Sequence, residues 1–171
     1  MKASLVYRKV SFIVYAVRGN STSAKGTEPM SLEANKRLVR RIFEDDLSEP
    51  DAARRAQVAA EIFSPEFHDP TNPPGMQHGL EGHIAIVNLF QGAFPNMRWT
   101  IEDMVAEGDR VVARTTMYGT HTGEFFGIPA TGRDVCVAGI HMLTVRDGKV
   151  VLHEGVNDDL GMMRQLGVVP G

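Results

Sequence analysis

From Ser31 to about Asn96 the helical segments repeat apolar residues every third or fourth position, and after Asn96 every second position, which restricts this part of the chain to helices followed by strands. Before the switch, Leu32, Leu38, Val39, Ile42 and Phe43 share one helical face, with Arg37, Arg40, Arg41 and Glu44 opposite. Pro50 stops this helix, and Asp51 can cap a second over Ala52 to Phe63, with Val58, Ala59 and Ile62 as its buried stripe. A third runs from Glu81 to Gln91 and closes at Phe94-Pro95. Arg40, Arg41, Arg54 and Arg55 lie within a helical turn of acidic residues, so they read as a solvated helix face. After the switch, the runs 98–105 and 110–118 alternate about a turn at Gly108-Asp109, two more strands fill 135–158, and Asp159 to Leu166 reads as a terminal helix ended by Gly167. Helices followed by a meander of strands indicate an α+β fold, in which helices cover one face of a curved antiparallel sheet and a cavity lies between the layers.

The last hairpin carries the chemistry. Asp147-Gly148 sits between two apolar runs, and a two-residue type I′ turn there needs φ > 0 at both residues. If Arg146 faces Lys149, His141 falls opposite Glu154 and Val137 opposite Asp158, so that Val137, His141, Leu143, Val145, Val150, Leu152, Glu154, Val156 and Asp158 line one face. A type I turn with a bulge at Gly148 sets His141 against His153 instead. The tally of facing apolar pairs favours the first register. In the first register the face is apolar with one cluster of histidine and acid; in the second, Asp158 moves to the other face of the first strand.

Two loops flank this sheet. Residues 67–75 hold three prolines and so are irregular; with His68 and Asp69 they form a plausible cleft rim, although Asp69 before Pro70 is also an ordinary turn. Residues 119–132 hold four glycines, His121 and the pair Phe125-Phe126, both too apolar to leave in water, so this loop is expected to fold back onto the sheet.

At 171 residues the chain suits one domain with a sizeable core. A net charge of −3 without a basic stripe argues against nucleic acid as a partner, and no apolar run is long enough to span a membrane. The single cysteine, Cys136, lies in an expected strand and reads as a buried, inert thiol in a cytoplasmic setting. Residues 1–30 match nothing after them and read as a flexible extension to a domain at 31–171, with Met30 an alternative start.

There is no phosphate-binding glycine loop, dinucleotide fingerprint or nucleophile elbow, and none of the six histidines sits at H-x-H or H-E-x-x-H spacing. Metal-free acid–base catalysis is the chemistry left, because burial in an apolar cavity tunes a carboxyl or imidazole toward proton transfer.

Phe94-Pro95 ahead of a Trp-bearing strand, the run Gly119-Thr120-His121-Thr122-Gly123-Glu124-Phe125-Phe126-Gly127-Ile128-Pro129-Ala130-Thr131-Gly132-Arg133, and Gly148-Lys149-Val150-Val151 leading to His153, Asp158-Asp159-Leu160-Gly161 and Gln165-Leu166-Gly167 resemble the SnoaL-like polyketide cyclases, or ester cyclases, from about Leu32 to Val169. The resemblance implies the cone-like α+β fold shared with nuclear transport factor 2. It also implies ring closure by intramolecular aldol condensation, with no metal or cofactor, on a polyketide-like, aromatic or isoprenoid molecule. By motif the acid–base aspartate falls on Asp158, with Asp159 next in line and His141 orienting it or sharing its proton; the plain alternative is that Asp158 caps the terminal helix. His68 and His121 would rim the pocket, Trp99, Tyr118, Phe125 and Leu143 would wall it, and Glu154 would add a polar group. Many relatives carry Trp at Glu154 and an aromatic residue at Asn157, so this pocket is the more polar. A homodimer or homotetramer is expected through the outer sheet face, where Ala138, Ile140 and Met142 form an apolar patch. The alternatives are a non-catalytic binding cup of the same fold, or an isomerase, dehydratase or hydrolase using the same pocket.

Overall fold

The computed structural model describes residues 31–73 and 75–170; the proposed extension, residues 1–30, lies outside them. Helix α1 (Leu32–Arg41) runs into a π-helical turn (Ile42–Asp46), followed by α2 (Ala52–Ile62), β1 (Phe63–His68), α3 (Gly79–Ala93), β2 (Arg98–Glu107), β3 (Arg110–Thr120), β4 (Asp134–Arg146), β5 (Lys149–Asn157) and α4 (Asp159–Leu166). Ser31 caps α1 by accepting from the Ala34 amide, Asp51 caps α2 by accepting from Arg54, and Gly167 ends α4 at φ 77°. The strands form one sheet in the order β1-β5-β4-β3-β2, antiparallel except where β1 runs parallel to β5.

Strand β1 is the element the sequence hides. Its span falls between the helix expected to end at Phe63 and the loop expected from Phe67, and it contains Pro65. At the edge of a sheet the missing proline N–H removes no ladder bond, so the strand tolerates it. Phe63 and Phe67 turn inward from β1 into a core with Val39, Ile42, Phe43, Ala59, Ile62, Leu143 and Val150. A second cluster, built on Phe94, Met117, Phe125, Val137, Met162 and Leu166, fills the other end of the layer, and Trp99 packs against both.

Two bulges bend the sheet around its helices. One lies in β2 between Ile101 and Asp103; the other decides the site. Asp147 and Gly148 have φ of 49° and 73°, Arg146 faces Lys149 and Val145 faces Val150, as a type I′ turn requires. Thr144 then faces Leu152, so Val151 is an extra residue and every later position of β5 changes sides. Neither expected register survives beyond it. His141 faces Gly155, Leu143 faces His153 and Met142 faces Glu154. The inner face of β5 therefore continues with His153, Gly155 and Asn157, while Leu152, Glu154 and Val156 turn outward.

Two further expectations change. Arg55 is buried, donating to the Glu49 carbonyl at 2.5 Å and to Asn88 Oδ1, because α2 rolls this position toward α3. Arg40, Arg41 and Arg54 stay on the surface in ion pairs with Glu44, Asp45, Glu61 and Glu49. Cys136 is exposed, because it points to the outer face of β4.

Candidate active site

A cavity of about 400 Å3 opens between the helical layer and the sheet. Phe43, Leu47, His83, Val87 and Phe90 line it from the helices, Trp99, His141, Leu143 and His153 from the sheet, and Asn157, Asp159, Met163 and Phe126 from its more exposed side. The interior is mostly aromatic and aliphatic, the setting in which a few polar atoms fix a ligand's orientation.

Those polar atoms form a chain. Asp69 Oδ1 accepts from the Thr71 amide at 2.9 Å and from the Thr71 hydroxyl at 2.6 Å, so the Asp-Pro turn at the end of β1 also orients the carboxylate. Asp69 Oδ2 lies 2.6 Å from His153 Nδ1, and His153 Nε2 lies 2.9 Å from His141 Nδ1. The two imidazoles stack at 5.2 Å with 18° between their planes. Gly155 makes the approach possible: a methyl group there would sit 2.8 Å from His141 Nδ1 and 2.9 Å from His153 Nε2. Gly139 does the same beneath His141 Nε2 and the Asn157 side chain, where a methyl would meet those groups at 2.9 and 2.3 Å.

Burial outweighs every other influence on His141, and with repulsion from His153 it pushes the imidazole down to about 3 against the smaller pull of Asp69. For Asp69, burial alone would raise the carboxyl, but the hydrogen bond and charge of His153 and the bonds from Thr71 together hold it at about 2. When His153 as well as His141 is neutral, the hydrogens have one consistent arrangement: His153 Nδ1–H donates to Asp69 and His141 Nδ1–H donates to His153 Nε2. His141 Nε2 is then a lone-pair acceptor. It is buried and has no protein partner, as is Trp99 Nε1, whose ring lies edge-on to His141 at 5.7 Å. A proton taken up at His141 Nε2 can leave through Nδ1 to His153, where the Asp69 carboxylate offsets the charge.

A model of the SnoaL-like polyketide cyclases matches residues 24–166. The chain belongs to that family. An aklanonic acid methyl ester cyclase from Streptomyces sp. (strain C5) is 36% identical over 107 residues, which are 59% of this chain and 66% of that protein, so the match spans just under two thirds of the relative. The nogalonic acid methyl ester cyclase of Streptomyces nogalater is 30% identical over 66% of this chain and 86% of its own length. Among solved structures, TsrD from Streptomyces laurentii superposes with a TM-score of 0.73 at 29% identity, covering 82% of this chain and 99% of TsrD.

Within this SnoaL-like fold, His141, Trp99, Phe125 and Leu143 meet at the cavity. The other residues singled out in the sequence lie elsewhere. Asp158 is the N-cap of α4: its Oδ1 accepts from the Gly161 amide at 2.8 Å, and the cavity wall is made by its neighbours Asn157 and Asp159. The Asp159 carboxyl is raised, by burial first and then by the charge of Asp158. Tyr118 is on the outer face of β3, with the Arg98 guanidinium 4.0 Å over its ring, and Glu154 is on the outer face of β5. His68 is exposed at the end of β1 with its ring 5.8 Å from that of His78. His121 is fully buried against Phe94 and Phe125, held by Thr131, so it ties the 121–133 loop to the core rather than facing a ligand. Phe126 was expected to be buried like Phe125, but it is 54% exposed at φ 47° and borders the cavity.

Four residues were given no chemical role: Asp69, expected only at the cleft rim, and His153, which together complete the chain to His141, and a separate pair in which His83 Nε2 lies 2.6 Å from Asp46 Oδ2. Glycine in mid-strand was the available signal for the first two, since Gly139 and Gly155 mark where side chains crowd the backbone. Asp46 and His83 are 37 residues apart, and nothing local links them. Among the described residues no three His, Cys, Asp or Glu side chains are grouped to hold a metal ion.

Proposed function

We propose that this protein closes a ring in a polyketide ester by intramolecular aldol condensation, with His141 as the acid–base group and His153 and Asp69 relaying its proton. The observation that carries the reading is the Asp69–His153–His141 chain, which ends at an unpartnered imidazole nitrogen in an apolar cavity. The reaction is redox-neutral, so one base and one proton donor suffice. His141 Nε2 takes a proton from the carbon α to the ester and ketone carbonyls. The carbanion's electron pair forms the new C–C bond, and the attacked carbonyl becomes a hydroxyl. Because His141 holds a proton poorly, the charge rests on His153 beside Asp69, and the relay keeps the base neutral between turnovers. The relatives' substrates, methyl esters of aklanonic and nogalonic acid, support the methyl ester of a polyketide acid as the substrate class.

On this reading Asp158 holds α4 and thereby the Asn157–Asp159 edge of the cavity, and Asp159 is the alternative proton carrier. A second copy of the chain bound to the outer sheet face, in a cytoplasmic setting, completes the proposal. The test is deuterium exchange at the α-carbon of a β-keto ester panel that includes aklanonic acid methyl ester. Exchange by the wild type that falls by ~10²-fold or more in His141→Gln supports the assignment. Exchange unaffected by His141→Gln but lost in Asp159→Asn would move the base to Asp159. A protein that binds the panel and exchanges nothing is a binding cup.

A further inference from the structure

We propose that His83, held by Asp46, is a second catalytic residue, the general acid that protonates the carbonyl oxygen attacked as the ring closes. The inference rests on the ring-closure reading above. Asp46 ends the π-helical turn, in which the Leu47 amide reaches back five residues to the Ile42 carbonyl at 2.8 Å, a distortion that recurs at functional positions in helices. Its side chain is fully buried, and Oδ1 has no hydrogen-bond partner. A carboxyl group in that state destabilises a fold unless another role retains it. Its one partner is His83 Nε2, and the imidazole is clamped by Phe63 with ring centres 4.2 Å apart and by the edge of Phe67 at 6.0 Å. The His83 ring lines the cavity from α3, the helical wall, whereas His141 and His153 line it from the sheet. With Nε2 committed to Asp46, Nδ1 is the nitrogen left for a ligand.

Two imidazoles on separate walls suit a reaction whose two halves need opposite proton transfers. His141 removes the α-proton. As the carbanion's pair forms the C–C bond, the carbonyl π pair moves to oxygen, and that oxygen takes the Nδ1 proton of His83. If the dyad begins as imidazolium and carboxylate, His83 is left neutral with Nε2–H donating to Asp46. If it begins as neutral imidazole and carboxylic acid, the Asp46 proton moves to Nε2 as Nδ1 releases its own, and the end state is the same. The proton gained by the His141 relay and the one lost from the His83 dyad are equalised through water when product leaves.

The experiment follows two rates with one substrate, aklanonic acid methyl ester: α-carbon deuterium exchange, which needs the His141 relay, and ring closure, which needs the relay and the His83–Asp46 dyad. His83→Gln keeps an N–H to offer Asp46, and Asp46→Asn keeps the buried shape. The expected result is closure slowed by ~10²-fold or more in both variants, with exchange close to the wild-type rate, which also shows that fold and binding survive. Asp46 is a positioning residue, and this split is something a purely structural role would not produce. Closure at the wild-type rate in His83→Gln, or a parallel loss of exchange and closure in both variants, overturns the role of His83. A wild type that shows no exchange defeats the ring-closure reading itself, and the inference falls with it.

Discussion

His141 is an imidazole kept neutral by its surroundings, and that has a stability signature. Its ordinary value of 6.5 falls to about 3 in the fold, burial being the main cause. The unfolded chain therefore takes up this proton first, and stability declines as pH drops from about 6.5 toward 3, by about 1.4 kcal/mol for each pH unit in that window. Asp69 adds to the acid side. Its value falls from 3.8 to about 2, so its contribution is fully present above 3.8 and is lost as pH falls through 2. Between pH 6 and 4 only the histidine acts, which separates the two. The urea midpoint of the wild type should fall steeply across that interval, and that of His141→Gln should be flatter; parallel slopes would contradict the buried neutral imidazole. The same property suits the relay, since a base that cannot keep its proton passes it on.

At the scale of elements, one residue in β5 sets which groups meet. Val151 is an extra position among three valines and leucines, and nothing in Lys149-Val150-Val151-Leu152 marks it out, so the alternation was carried straight through. The turn, the four antiparallel strands and the terminal helix were legible because Asp147-Gly148, Gly167 and the two-residue period are local signals. The bulge and β1 were not, because each depends on a partner strand: the first on how the sheet bends, the second on an edge of β5 that residues far away in the sequence come to cover. Hence His141, Trp99, Phe125 and Leu143 could be read from the sequence, while the favoured register put His153 on the wrong side and Asp158, one residue past the end of β5, in the cavity. In the structure Asp158 accepts from the Gly161 amide. Asp158→Ala should cost about 1 kcal/mol of stability, the usual loss for an N-cap, and lower the Tm by a few degrees, while ring closure continues. Loss of closure with an unchanged Tm would return the acid–base role to Asp158.

Across the whole molecule, the sheet separates two surfaces. Its inner face joins the two apolar clusters through Trp99 and holds the cavity between them. Its outer face carries cross-strand apolar pairs with no helix among the described residues over them: Ile140, 49% exposed, faces Val156, 71% exposed, and Val105, 59% exposed, faces Val112. Ala138 and Met142 extend the first pair along β4, and Tyr118 under Arg98 lies beyond them on β3. Contiguous apolar surface of this kind is uncommon on a monomer and is favourable to bury, at about 25 cal/mol for each Å2. A second copy presenting the same face would cover it with like against like, which a two-fold axis allows. Sedimentation of the wild type should therefore give a dimer or tetramer, and Ile140→Asp with Val156→Asp should give a monomer, because each carboxylate would be desolvated at the contact without a counter-charge. Both side chains point away from the cavity, so the monomeric variant should still exchange the α-proton of a β-keto ester. A wild type that sediments as a monomer would leave this face to another partner, and a double variant that stays associated would place the interface on a different surface.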